Sequence, residues 1–368
     1  MAVINDLALL LLLSFSCCQS FYHGSRKVAT YPFGRVNSFS AIRPYTRIDR
    51  KIRTSSVRLE TDEVPAQSYH YELTVLLPAY NEIDRIGCTL CKYISHLSQS
   101  QVYRPIGARI SSGTASILVI DDGSTDGTAD FVRGRTYLQS LPEQQEGCWD
   151  VNINVKCISL KQNEGKGAAI AKGMQEIESS GLNNNLDVWE ETRQIVLVVD
   201  ADGSGDMSCL NNMIHELEML LQTSEANKSN ATKDALVAGY RVCKEKSALR
   251  SILSWGFRTA VSLIFLGSEL GVRDSQCGFK LMTLSSGKTL YNKLNLQRWT
   301  HDVEVIHRAQ LINIPVGECA VTWVDAEGSK LVTSASTAAS ASFVMLKEIC
   351  FMRLMYLSGE WGIGKLEQ

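Results

Sequence analysis

The sequence has no surplus of either charge: 37 Lys and Arg stand against 39 Asp and Glu in 368 residues, a formal net charge of −2. A nucleic-acid surface shows itself as a basic excess, so nucleic acid is not an expected partner. A disulfide or zinc framework is also missing. The 11 cysteines are odd in number and scattered, and the C-x-x-C at Cys88 and Cys91 has no second pair, so it reads as thiols at the start of a helix in a reducing environment. No apolar run near the N-terminus reaches the roughly 20 residues that a membrane span needs. The run Leu7 to Leu13, extended through Ser14 to Cys18, has instead the length of a signal-peptide core. Finally, there is no G-x-x-x-x-G-K-[ST], so the lysine of Gly165-Lys166-Gly167 does not belong to a Walker loop.

What is present divides into four parts. Residues 1–20 form a signal-like or anchor segment, and 21–70 a basic linker or transit segment, in which Gln19 to Arg58 carries Asp49 as its one acidic residue. Residues 71–331 form the catalytic α/β domain, and 332–368 an amphipathic C-terminal segment. Leu73 to Leu77 is a short apolar run ended by Pro78, the pattern of a buried strand, and similar runs follow at Ser116–Ile120, Val155–Leu160, Ile195–Val199 and Leu236–Ala238. With helix-like stretches between them, these predict an α/β fold with a mostly parallel sheet. Polar stretches at Ser98–Thr114, Gln139–Asp150, Ser179–Arg193 and Thr223–Lys233 read as surface insertions. Asn227-Lys228-Ser229 and Asn230-Ala231-Thr232 match the glycosylation pattern, which matters only on a luminal face. Two apolar stretches carry interspersed basic residues: Ala248 to Gly267, with Arg250 and Arg258, and Ser342 to Leu357, with Lys347 and Arg353. Each suits either a buried helix or one lying on a membrane surface, and the pair together points to a membrane-facing platform.

The chemistry lies at the ends of the strands. The run ending at Val199 delivers Asp200-Ala201-Asp202 into a loop, with two carboxylates on the same side of an extended backbone where α/β sheets bind ligands. Such hard oxygen donors suit Mg2+ or Mn2+ bridging a diphosphate. The run ending at Ile120 opens into Asp121-Asp122-Gly123-Ser124-Thr125-Asp126-Gly127-Thr128, so a second strand presents carboxylates at the same edge. One of these can accept from a uracil or ribose group, while Gly123 and Gly127 permit the tight turn. A plain helix-capping turn has the same composition.

Taken in order, Leu77-Pro78-Ala79-Tyr80-Asn81-Glu82, the Asp121–Thr128 turn, Asn163-Glu164-Gly165-Lys166-Gly167 and Asp200-Ala201-Asp202 resemble the ordered motifs of family 2 glycosyltransferases. The resemblance implies a GT-A fold. It sets Pro78, Ala79, Tyr80, Glu82 and Asp122 near the nucleotide, Lys166 near the nucleotide or its phosphates, and Asp200 and Asp202 at the metal and diphosphate. The second half, with Val272 to Leu281, Arg298-Trp299, Asp302-Val303-Glu304 and Glu327 to Leu331, resembles the dolichyl-phosphate β-glucosyltransferases. Mannosyl-transferring relatives carry a different segment where this chain has Gln276 to Lys280, and processive polysaccharide synthases carry Gln where it has Asn295. His301 stands where that family has an aromatic residue.

The resemblance implies transfer of glucose from UDP-glucose to dolichyl phosphate with inversion, giving dolichyl β-D-glucosyl phosphate for protein N-glycosylation. A mannosyl transferase or another acceptor is the alternative. A phosphate acceptor, with a second pKa of about 6, is already ionised at neutral pH and needs little help from a base. Asp302 is the carboxylate expected at the base position and Asp274 its rival, each with a structural ion pair as the competing reading. Arg241, Arg273, Lys280 and Lys330 are candidates for phosphates, Arg241 on the donor side and the other three at the acceptor. The resemblance implies a membrane-surface partner and the cytosolic face of the endoplasmic reticulum. The N-terminal composition also suits routing to a plastid through a signal plus transit peptide.

Overall fold

The computed structural model describes residues 70–98, 115–135, 137, 153–179, 192–226, 233–243, 256–257, 259–265, 270–324 and 335–363. Both N-terminal segments, most of the four polar insertions, the two glycosylation tripeptides and Lys330 lie outside the described residues, as do Arg250 and Arg258. The described residues belong to the unit formed by Ala66–Phe265 and Glu269–Gln368.

The apolar runs at Leu73–Leu77, Ser116–Ile120 and Ile195–Val199 form strands that are buried on both faces, while the run beginning at Val155 forms a half-buried edge strand. Along β1 (His70–Ala79), Leu73, Val75 and Leu77 enter one core, while Leu76 enters the core on the opposite side. Then come α1 (Ile83–Ser98), β2 (Ala115–Asp121), α2 (Thr128–Arg133), β3 (Asn154–Ser159), α3 (Lys166–Ser179), β4 (Thr192–Val198), α4 (Leu210–Ala226) and β5 (Leu236–Cys243). The second half adds β6 (Lys280–Thr283), α5 (Leu284–Tyr291), α6 (His301–Leu311), β7 (Val316–Trp323) and α7 (Ala335–Ser358). The strands of this mixed sheet run in the order β3-β2-β1-β4-β6-β5-β7. All neighbours pair in parallel except β6, which is antiparallel to both β4 and β5. Ile86, Leu90 and Leu97 of α1 and Leu210, Ile214 and Leu217 of α4 cover one face. Ala169 and Ile170 of α3, Leu290 of α5, Val303 and Ile306 of α6, and Ile349 and Met352 of α7 cover the other.

Three expectations need correction. Pro78 does not end its strand, which continues to Ala79 in register with β2. The carbonyl of Leu76 accepts from Val199, so even-numbered residues of β1 address β4, and that ladder closes at Leu76↔Val198. The donor that proline lacks therefore faces a side where nothing is left to pair. Thr223 to Ala226 belongs to α4 and not to an insertion. Strands β6 and β7 were not anticipated. Among the described residues no helix is long and apolar enough to cross a membrane.

Candidate active site

Four chain segments meet beyond the ends of β1, β2 and β4. Gly123 (φ +71°) and Gly127 (φ +92°) turn the chain after β2 into conformations that L side chains resist. Asn81, at φ +55°, turns it after β1. These two turns are zipped together. The Asn81 N–H donates to Ser124 Oγ (2.9 Å), Asn81 Oδ1 accepts the Thr125 N–H (2.9 Å), and the Glu82 N–H donates to Thr128 Oγ1 (2.8 Å). Tyr80, at the tip, is 42% exposed. Arg85, one turn into α1, grips the Glu82 carboxylate at 2.6 Å and reaches within 4.0 Å of Asp202 Oδ2.

Asp122 is buried, with both oxygens engaged: they accept the N–H groups of Glu164 (2.8 Å) and Gly165 (2.9 Å). Burial raises its pKa, and those two donors partly offset the rise. In the described state Asp122 thus anchors the loop that starts α3. Gly165 (φ +107°) lies under the carbonyl of Gln297, which a Cβ there would approach to 2.5 Å, and the Ala168 N–H donates to that carbonyl at 3.2 Å. The start of α3 is therefore tied to the Arg298-Trp299 loop.

Lys166, the first residue of α3, crosses to the loop after β4, where its Nζ donates to Asp200 Oδ1 at 2.5 Å. Burial opposes its charge, but Asp200 and Asp302 outweigh that and hold the ammonium above its ordinary range. The Asp200 carboxylate also lies against Gly278: an added Cβ there would come within 2.6 Å of Asp200 Cγ and Oδ1 and closer still to Oδ2. Asp202 turns back on its own loop, with Oδ1 accepting the Ser204 N–H at 3.0 Å. Asp200 and Asp202 fit a divalent cation by donor chemistry, since carboxylate oxygens suit Mg2+ or Mn2+ better than zinc. Among the described residues no group of three or more His, Cys, Asp or Glu could hold a metal by itself.

Two further ion pairs lie beside this cluster. Lys280 is buried, and its three donors reach Asp302 Oδ1 (2.6 Å), the Cys277 carbonyl (2.6 Å) and the Ser275 carbonyl (3.4 Å). This corrects its expected place at the acceptor phosphate, because an ammonium has three hydrogens and all are used. Burial disfavours the charge on Asp302, but His301, Lys280 and Lys166 outweigh it and hold the pKa down at about 2. His301 is buried, pairs through Nδ1 with the Arg298 carbonyl (2.6 Å) and lies 3.4 Å from Asp302 Oδ1 through Nε2. Asp274 is gripped by Arg241 as a fork, Nε to Oδ2 at 2.7 Å and Nη2 to Oδ1 at 2.9 Å. For both candidate bases the ion-pair reading describes the geometry. Arg273 is on the surface, its guanidinium 4.6 Å from the Tyr240 ring centre and its Nε 3.5 Å from Glu318.

The glycosyl transferase family 2 model matches residues 74–220. A dolichyl-phosphate β-glucosyltransferase of Dictyostelium discoideum is 32% identical over 291 residues, which cover 79% of this chain and 76% of the relative. The chain belongs to the dolichyl-phosphate β-glucosyltransferases. The human member is 29% identical over 303 residues, covering 81% of this chain and 78% of its own. The family's fold is GT-A-like, as the mixed sheet and its strand-end carboxylates show here. Among solved structures, a mannosyltransferase of Pyrobaculum calidifontis in complex with GDP-Man and Mn2+ superposes with a TM-score of 0.43 at 14% identity, covering 80% of this chain and 67% of that one. Three residues of this site were not singled out from the sequence: Arg85, Gly278 and His301 in its paired role. Only Arg85 carried a signal, its position one helical turn after Glu82.

Proposed function

We propose that this glycosyltransferase moves glucose from UDP-glucose to dolichyl phosphate with inversion, and that the Lys166, Asp200 and Asp202 cluster binds the donor diphosphate. The observation that carries this reading is the juxtaposition of one cation and two carboxylates beyond β4, in a chain of this family. Asp200 and Asp202 would hold Mg2+ or Mn2+, which neutralises charge developing on the leaving diphosphate. The chain's own residues account for the rest. Lys166 reaches phosphate oxygens as a compact point charge. The zipped turns carrying Tyr80 and Glu82 flank the nucleotide side, and Pro78, Ala79 and Asp122 fix their base.

No residue need abstract a proton. The acceptor phosphate arrives ionised, with a second pKa of about 6. Asp302 and Asp274 act as fixed anions that position Lys280 and Arg241, so proximity and charge placement do the work. Arg273 remains the described cation best placed on the surface to meet an acceptor phosphate. Part of α7 supports a membrane-surface role: Ser340, Val344, Lys347 and Phe351 share an exposed stripe at helical spacing while Ile349 and Met352 face the core. Leu263, on the helical residues 259–264, is a further exposed apolar side chain. The described cysteines are all free thiols, which suits the cytosolic face of the endoplasmic reticulum.

The test incubates the purified full-length chain with radiolabelled UDP-glucose and dolichyl phosphate. Label should enter the lipid extract, and should disappear on chelation and in Asp202→Ala. Lipid labelling that survives both would overturn the assignment of the cluster.

A further inference from the structure

Lys166 and the divalent cation have a claim on the same carboxylate. Nζ sits on Asp200 Oδ1 at 2.5 Å, an oxygen that a metal could use, and Gly278 lies against the same carboxylate, where an added Cβ would come within 2.6 Å of Cγ. Asp202 is similarly attended, with Oδ1 on the Ser204 N–H and Oδ2 4.0 Å from Arg85. The backbone beneath Lys166 is fixed by Gly165 under the Gln297 carbonyl and by Gly167 against His301, where an added Cβ would lie 2.7 Å from His301 Cβ. Any rearrangement must therefore come from the side chain, whose four-carbon stem allows it. Both groups reach solvent, at 15% exposure for Lys166 and 25% for Asp200.

We propose that Lys166 is a stand-in cation: it holds Asp200 until a diphosphate draws the ammonium away, so that the divalent metal and the nucleotide diphosphate bind together and not singly. This rests on the metal and diphosphate reading given above. A metal arriving alone must displace an ammonium that gains no phosphate in exchange for Asp200. A metal arriving with a diphosphate leaves the ammonium on a phosphate oxygen, and each ligand raises the affinity of the other.

Mn2+ binding to the purified full-length chain in detergent, followed by the electron paramagnetic resonance of free Mn2+, tests this without turnover. Wild type should bind Mn2+ weakly alone and at least about tenfold more tightly with UDP. Lys166→Met should bind Mn2+ alone about five- to tenfold more tightly than wild type, the competition of one charge-assisted bond having been removed, and should gain less from UDP. Lys166→Gln replaces the methionine variant should that one not fold. Lys166→Arg keeps the competing cation and should bind Mn2+ alone as wild type does. If Mn2+ alone binds equally to wild type and Lys166→Met while UDP still tightens the wild type, the stand-in role is wrong and the metal and diphosphate reading stands. If UDP promotes Mn2+ binding in none of the proteins, both fall.

Discussion

Gly278→Ala separates the site from the fold. The new Cβ would stand 2.6 Å from both Cγ and Oδ1 of Asp200, and closer to Oδ2. Carbon contacts settle at about 3.5 Å, so the carboxylate must retreat by roughly 0.9 Å or rotate away. The three nearest atoms all belong to the Asp200 carboxylate, a side-chain terminus open to solvent, so the closest contacts can be relieved without moving the backbone. The stability cost should stay at about 1 kcal/mol, the low end for added methyls. The site cannot absorb it, because Asp200 leaves Lys166 and the place where a metal would be held. A displacement of about 1 Å in a positioning group costs on the order of a hundredfold in rate, or about 2.7 kcal/mol of barrier. The assay pairs steady-state kcat/KM for lipid glucosylation with a thermal melt of the same preparation. Turnover within about threefold of wild type would refute the packing argument, and so would a loss of activity that simply follows unfolding.

Other expectations follow from the buried charges. Lys280→Met strips buried Asp302 of its 2.6 Å counter-charge, which should cost about 3–5 kcal/mol in urea unfolding, whereas Lys280→Met with Asp302→Leu should recover much of it. A single variant as stable as wild type would show that the pair carries no such constraint. His307, packed edge-on to the rings of Phe265 and Tyr356, has its pKa lowered by burial and by Arg353 from the usual 6.5 to about 4. The unfolded chain then holds more protons between those values, so stability is intact above about pH 6.5 and is lost as pH falls toward 4. The full gap corresponds to about 3 kcal/mol. The stability of wild type relative to His307→Phe, measured by unfolding from about pH 7.5 to 4, should fall by up to about 3 kcal/mol as pH falls; parallel curves would remove His307 as the titrating group.

The parts of the fold that sequence reasoning recovers are those whose neighbours impose a local pattern. Strands β1, β2 and β4 are flanked by strands and covered by helices, so their sequences are continuous apolar runs. Strand β7 is at the sheet edge, its burial uneven, and Gly317, Glu318 and Thr322 break the apolar signal. Strand β6 has four residues and begins with a lysine whose buried charge is met by Asp302 and by the Cys277 and Ser275 carbonyls.

The site divides along the same line. Asp200-Ala201-Asp202 and the Asp121–Thr128 turn are legible because strand ends and glycine turns are local features. Their partners are not, since Lys166 meets Asp200 across 34 positions, Lys280 meets Asp302 across 22 and Arg241 meets Asp274 across 33. The last two pairings depend on the crossover that inserts antiparallel β6 between β4 and β5, which no spacing along the chain encodes. The same insertion explains why Lys280, read as a phosphate ligand, is instead a buried counter-charge.

The reaction proposed for this protein is glucosyl transfer from UDP-glucose to dolichyl phosphate. Its most direct test offers the full-length protein radiolabelled UDP-glucose and GDP-mannose in parallel, at equal concentration, with dolichyl phosphate as acceptor and Mg2+ or Mn2+ present. The account predicts a glucosylated lipid from UDP-glucose, little product from GDP-mannose, and none from either donor with Asp202→Ala; lipid product from GDP-mannose alone would contradict it.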